Sequence, residues 1–273
     1  GLLKPDLAGA ITSAADEILA DAPWSLNQFP VDIYQTGSGT STNMNVNEVL
    51  ASRANELLGG KRGDKSPVHP NDHVNLGQSS NDTIPTSLQV MAHTLIDRQL
   101  YPAVGALAES LDKKSRAFWP IIKTGRTHLQ DATPIRLGQE FVGYSGQIGA
   151  FFTGGLPSAH NALRYLPIGG TAVGTGINAH PEFASRVRTL LAEWLNVRPS
   201  FKESMNHFFD QATLDIAVFA HGMLKNLAIS LTKIANDIRW MGSGPRAGIG
   251  EIDIPAVQPV SSIMPGKVNP VIA

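Results

Sequence analysis

Cysteine is absent from the 273 residues, so the chain has no disulfide framework, no thiolate metal site and no thiol nucleophile. Charge is scarce: 16% of residues are charged against 42% hydrophobic, with a net charge of −1. A chain so close to neutrality has no electrostatic footprint for nucleic acid or an anionic membrane surface. With so little charge to cover a solvated exterior, buried subunit contacts are expected. No apolar run approaches the roughly 20 residues that span a bilayer. No secretory leader is recognisable, although the chain opens on Gly1 rather than methionine. A cytoplasmic home is expected, or an organelle matrix if a targeting segment lies upstream. Phosphate-loop, HExxH and GxSxG motifs are all missing. The stretch GTGINA at 174–179 formally fits a dinucleotide fingerprint, but no convincing strand precedes it. HPNDH at 69–73 comes nearest to a metal-ligand cluster, and its proline and loop context argue against one.

Long helical patterns are what the sequence does have. Ile84, Leu88, Met91 and Leu95 recur at helical spacing, and after a slip around Pro102 the rhythm resumes through Leu111. Asn81 and Asp82 are candidate caps for this helix. A second pattern runs through Leu214, Val218, Leu224, Leu227, Leu231, Ile234, Ile238 and Met241. Alanines on its other faces suit a helix packed on more than one side. A third helix is expected to follow a loop at 125–134, and residues 166–181 read as a structured Gly-rich loop. The N-terminal part carries shorter helices, at 6–21 and 43–58, between polar loops. These lengths predict an all-α fold, a long-helix bundle with a smaller N-terminal helical domain. A boundary near 77–79 would divide it into 1–78 and 79–273.

Four loops concentrate uncharged hydrogen-bonding groups. TGSGTSTNMN at 36–45 places Ser38 and Thr40 at a helix start, where they either cap the helix or hold an anion. Ser79, Ser80 and Asn81 stand at the start of the next long helix and admit the same two readings. In GRTHLQDATP at 125–134, His128 lies between Thr127 and Gln130, a polar setting that suits acid–base work better than an apolar face does. SSIMPGKVNP at 261–270 offers the hydroxyls of Ser261 and Ser262, the cation of Lys267 and the amide of Asn269. A serine is a weak base unless its alkoxide is stabilised, and a lysine with main-chain amides could do that.

Together these four loops resemble the fumarase/aspartase superfamily, and most closely its class II, metal-independent fumarases. Aspartases are similar to GRTQLQDA, QSTND and MPAKVNP, whereas this chain has GRTHLQDA, QSSND and MPGKVNP. The resemblance implies reversible hydration of fumarate to L-malate by anti elimination through a carbanion, a tricarboxylic acid cycle reaction needing no metal or organic cofactor. It implies that Ser261 is the base, that Lys267 and Asn269 face the developing aci-carboxylate, and that His128 acts through water on the hydroxyl. Ser38, Thr40, Ser79, Ser80, Asn81 and Thr127 would bind the substrate carboxylates. His69, Asn71 and Asp72 match the family's second dicarboxylate site. A homotetramer is implied, each site drawing on three subunits. Two alternatives are another fumarate-yielding lyase, such as aspartate ammonia-lyase, and a non-catalytic scaffold of the same fold. Members usually carry glycine before the paired serines, where this chain has Val260, and a histidine-orienting glutamate just after NPVI, where it has Ala273. The resemblance therefore implies a chain shortened at both ends, without the family's C-terminal domain.

Overall fold

The computed structural model describes residues 2–258 and 261–271. Its helices in chain order are α1 (Pro5–Leu19), α2 (Thr40–Leu57), α3 (Ser80–Leu95), α4 (Tyr101–Ala117) and α5 (Leu137–Thr153). Then come α6 (Gly155–Ala162), α7 (Phe183–Trp194), α8 (His207–Ala212) and the longest, α9 (Asp215–Met241). Strands β1 (Ile122–Thr127) and β2 (Gln130–Arg136) form an antiparallel hairpin. The two-residue strands β3 (Tyr165–Leu166) and β4 (Lys202–Glu203) pair in parallel. Helix therefore dominates, as the periodicities predict. The expected loop at 125–134 is a hairpin instead. Ile122, Thr124, Thr127, Thr133 and Ile135 are β-branched and fit a pleated surface.

Two compact units emerge: Gly1–Leu95 with Asn161–Val218, and Ile96–His160 with Phe219–Ala273. The expected boundary near 77–79 falls inside the first unit, because α3 is buried there. Its buried face is not the apolar stripe expected from the sequence. Asp82, Thr86, Gln89 and His93 are buried, while Met91 and Leu95 are 54% and 44% exposed. The slip expected near Pro102 is a π-helical turn at Ile96–Leu100, leading into α4 with the proline in its first turn. There the missing N–H costs nothing, since first-turn donors have no partner within a helix.

In the first unit, Leu7, Ala10 and Ala14 of α1 pack on Ala51 and Ala54 of α2. An ion pair holds the same two helices: Arg53 donates to both oxygens of Glu17, at 2.7 and 2.8 Å. Residue 39 must be glycine for two reasons. Its φ is +64°, and a Cβ there would sit 2.8 Å from the Ile84 side chain. The decisive tie is Asp82, which is fully buried. Its Oδ1 accepts from Ser79 N at 2.9 Å, and its Oδ2 accepts from Gly169 N at 3.0 Å and Thr171 N at 2.8 Å. Burial pushes this carboxyl above its usual range, against the pull of the three N–H groups.

The second unit has an apolar core. Val104 and Leu111 of α4 and Leu227, Ile234 and Met241 of α9 pack with Leu137, Phe141, Tyr144, Ile148 and Phe151 of α5. The α5 residues alternate four and three apart and form a continuous stripe, with each large side chain worth roughly 1.5–3 kcal/mol on burial.

Asp82→Ala would leave three main-chain donors without their acceptor. We expect a loss of roughly 3 kcal/mol or more, read as a lower urea midpoint. Asp82→Asn, which keeps one acceptor, should cost less. Equal midpoints for Asp82→Ala and the parent would contradict this role.

Candidate active site

In the first unit, two helix starts come together. Asn43, one turn into α2, donates from Nδ2 to Ser80 Oγ at 2.9 Å, and Ser80 is the first residue of α3. Asn47 donates to Asn75 Oδ1 at 3.0 Å, completing a buried amide cluster that the sequence reading did not single out. The only advance signal was asparagine at positions 43 and 47, one helical turn apart. Ser79 Oγ accepts from Asn81 N at 3.2 Å while Asp82 accepts from Ser79 N, so Ser79 rather than Asn81 caps α3. The Asn81 amide donates to Ala172 O at 2.7 Å. Ser38 and Thr40 are exposed at the start of α2, where Thr36 and Ser38 hydroxyls lie 2.8 Å apart and Thr40 donates to Ser38 at 3.4 Å. Two positive helix ends, hydroxyls and amides suit a carboxylate.

Nearby in sequence, His69 gathers Asn71 and Asp72. Its Nδ1 accepts from both main-chain N–H groups at 3.3 Å, capping the π-helical turn Pro70–Val74. The Asp72 carboxylate lies 3.4 Å from the same ring nitrogen.

In the second unit, His128 and Leu129 form the hairpin tip between β1 and β2. Both have positive φ, 50° and 64°, as a two-residue type I′ turn requires. Such turns favour Asn-Gly, and for L-residues with side chains the left-handed conformation costs roughly 1–2 kcal/mol each. The missing Asn-Gly signal is why the sequence read as a loop. Thr127 and His128 are both exposed.

Below the tip lies a cleft of about 610 Å³ whose lining includes His128, Leu129, Gln147, Tyr144 and Trp240. Lys123, Arg126 and Glu140 also line it and belong to a charge network that the sequence reading missed. Lys123, 7% exposed, contacts Glu140 at 2.9 Å and Glu251 at 2.5 Å, and Arg126 donates to Glu251 at 2.6 Å. Lys123 and Arg126 stand three apart, on opposite faces of a flat strand. The irregularity between Thr124 and Arg126, where a Cβ on Gly125 would lie 2.6 Å from Thr133 O, twists the strand so that both reach one carboxylate. Burial pushes Glu251 up, but bonds and charge from Lys123 and Arg126 more than reverse it, leaving it below the usual carboxylate range. Tyr144, donating to Asp237 at 3.0 Å, is pushed up by burial and by the Asp237 charge.

The segment 261–269 folds on itself. Ser261 N donates to Lys267 O at 3.0 Å, and Ser261 Oγ lies 3.3 Å from both Ile263 N and Met264 N, which donate to it. Gly266 takes φ +76°, Lys267 is exposed and Asn269 is half-buried. Val260, the departure from the family pattern, lies outside the described residues. Among those residues no hydrogen bond or ion pair joins His128 to Ser261, Lys267 or Asn269. No group of three or more His, Asp or Glu is placed to hold a metal ion among them, and no helix is long and apolar enough to cross a membrane.

Because Glu251 is lowered on folding, its contribution is present above the usual carboxylate range and disappears as pH falls through its depressed value. We expect the stability gap between parent and Glu251→Gln, from urea titrations at several pH values, to close as the solution is acidified. A gap that stays constant down to acid pH would contradict this.

Comparison with known proteins supplies the context. The chain is 53% identical over 270 residues to the class II fumarate hydratase of Bordetella parapertussis and 56% identical over 273 residues to that of Nitrosomonas europaea. Both alignments cover 99% of this chain but 57% of the relative, so the chain spans little more than half their length. The class II fumarase of Schistosoma mansoni superposes with a TM-score of 0.91 at 40% identity, over 99% of this chain and 58% of that one. A cobalt-bound fumarate lyase:delta crystallin of Brucella melitensis gives 0.89 at 43% identity, over 99% and 57%. The lyase family matches residues 1–273, and the chain belongs to that family.

Proposed function

We propose that the protein carrying this chain hydrates fumarate reversibly to L-malate, by anti addition and elimination through a carbanion. The observation that carries this reading is the strained turn presenting His128 beside the cleft, in a chain whose relatives bear the name class II fumarate hydratase. Strain of this kind persists where surrounding structure holds it, and it clusters at functional sites.

Ser261 takes the proton from the carbon beside a carboxylate. The two main-chain N–H groups on its Oγ favour the alkoxide that this requires. Negative charge then builds on the aci-carboxylate, which Lys267 and Asn269 meet. His128, with Thr127 beside it, acts through a water on the departing hydroxyl. Ser38, Thr40, Ser79, Ser80 and Asn81 bind the substrate carboxylates at the paired helix starts, and His69, Asn71 and Asp72 form a second dicarboxylate site. The scheme uses no metal or organic cofactor. It belongs to the tricarboxylic acid cycle, in the cytoplasm.

The active protein is a homotetramer with sites shared by three subunits. Two observations support this. Among the described residues, His128 and the 261–269 loop, the groups that must cooperate, share no hydrogen bond or ion pair. Moreover, α9 buries only Ala220, Leu227, Ile234 and Met241, a seven-residue repeat, while Ile229 and Trp240 are 60% and 53% exposed. So narrow a buried seam leaves the other apolar faces of a long helix for further helices.

In the full-length protein, Ser261→Ala should slow fumarate hydration by roughly 10²–10⁴-fold with the circular dichroism spectrum unchanged. Equal rates would remove serine as the base, and faster ammonia release from aspartate would reassign the substrate. Ile229→Asp should reduce the assembly's mass in sedimentation velocity. An unchanged mass would show that this face of α9 is not the interface.

A further inference from the structure

We propose that Glu251 is a positioning residue for catalysis, its carboxylate anchoring the end of β1 and so orienting the hairpin tip that carries His128. This rests on the fumarate-hydration reading above.

Glu251 is fixed from two directions. Its main-chain N–H donates to Met241 O at 2.8 Å, docking it on the last residue of α9. The turn before it is closed by Gly250 N to Ser243 O at 2.9 Å and Ile249 N to Ser243 Oγ at 3.1 Å. Its side chain then reaches the other way, to Lys123 and Arg126 of β1. Arg126 is two residues from His128, and Glu251 is ten residues from Ser261. Glu140 of α5 neutralises the second charge on this side by pairing with Lys123.

Stability alone does not account for the arrangement. Removing paired charges from water costs about as much as their attraction returns, and apolar replacements are often no worse. What the ion pairs supply is direction. A single charge-assisted bond from Arg126 Nη1 to a carboxylate with a fixed main chain sets the end of β1, and the left-handed pair His128–Leu129 follows immediately. Released from Glu251, the tip can relax its strain and swing the imidazole. A misplacement of about 1 Å can cost on the order of 10²-fold in rate.

A double-mutant cycle on the full-length protein tests this with Glu251→Gln, His128→Asn and the double variant, measuring kcat and KM for fumarate. We expect Glu251→Gln to lower kcat by roughly 10–10²-fold with little change in KM. In the His128→Asn background the same substitution should cost less than about threefold, because it acts through the imidazole. A merely structural role would give equal losses in both backgrounds, and that result overturns the proposal, as does parental kcat in Glu251→Gln. If Glu251→Gln does not fold, Arg126→Lys, which keeps the charge but loses the planar guanidinium that reaches Glu251, takes its place in the cycle. A parent without fumarate hydration, or a His128→Asn variant with parental turnover, refutes the underlying reading as well, whereas additive losses in an active parent refute the Glu251 role alone.

Discussion

A carboxylate taken out of water must be met by donors, and each unit of this protein is organised around one that is. In the first unit Asp82 is fully buried, and three main-chain N–H groups meet it. In the second, Glu251 is met by Lys123 and Arg126. Leaving either carboxylate unpaired would cost several kcal/mol, so the segments supplying the donors have little freedom to sit elsewhere. Those segments are the polar loops. Asp82 fixes Ser79 and the 169–171 turn, and through them the place of Asn81. Glu251 fixes the hairpin arm. Loops dense in glycine, serine and asparagine would otherwise be the parts of the chain with the least to hold them.

The same constraint explains where sequence reading succeeded. The helical periods at 84–111 and 214–241 correspond to real helices, and the slip at Pro102 corresponds to a π-helical turn. Which face each helix buries was less legible. In α3 the apolar residues Met91 and Leu95 remain exposed while Asp82, Thr86, Gln89 and His93 are inside. Hydrophobic periodicity assumes that burial follows apolarity, and a helix whose inner face is devoted to hydrogen bonds with loops violates that assumption. The hairpin was missed for a related reason. His-Leu carries none of the turn chemistry that marks a two-residue hairpin, because the turn is held from outside rather than by its own residues.

Among the expected site residues, Ser79, Ser80 and Asn81 share one helix start, His69 meets Asn71 and Asp72, and Ser261 closes its loop onto Lys267 through the main chain. The motif spacing could suggest these groupings, since each is local in sequence. Asn43, Asn47, Lys123, Arg126 and Glu251 could not be found that way. Glu251 meets its Arg126 partner across 125 residues, and nothing in either neighbourhood announces the other. Their role is to hold rather than to react, and residues of that kind declare themselves only through geometry.

Helix α3 leaves Met91 and Leu95 in water while burying Asp82, Thr86, Gln89 and His93, so its polarity is inverted, and α9 leaves Ile229 and Trp240 exposed beside its apolar seam. Such an inversion is costly for a solitary chain, and it becomes favourable when the outer faces are themselves an interior. The scarcity of charge in the composition fits the proposed homotetramer. A surface destined for subunit contact needs few charges, and four of those the chain does keep, Lys123, Arg126, Glu140 and Glu251, hold the hairpin. In the proposed homotetramer the interior would be shared between subunits, whereas each loop is aimed by ion pairs and hydrogen bonds of its own chain. The proposed division of the site among subunits would then be compatible with precise chemistry, because each chain would deliver its group already oriented.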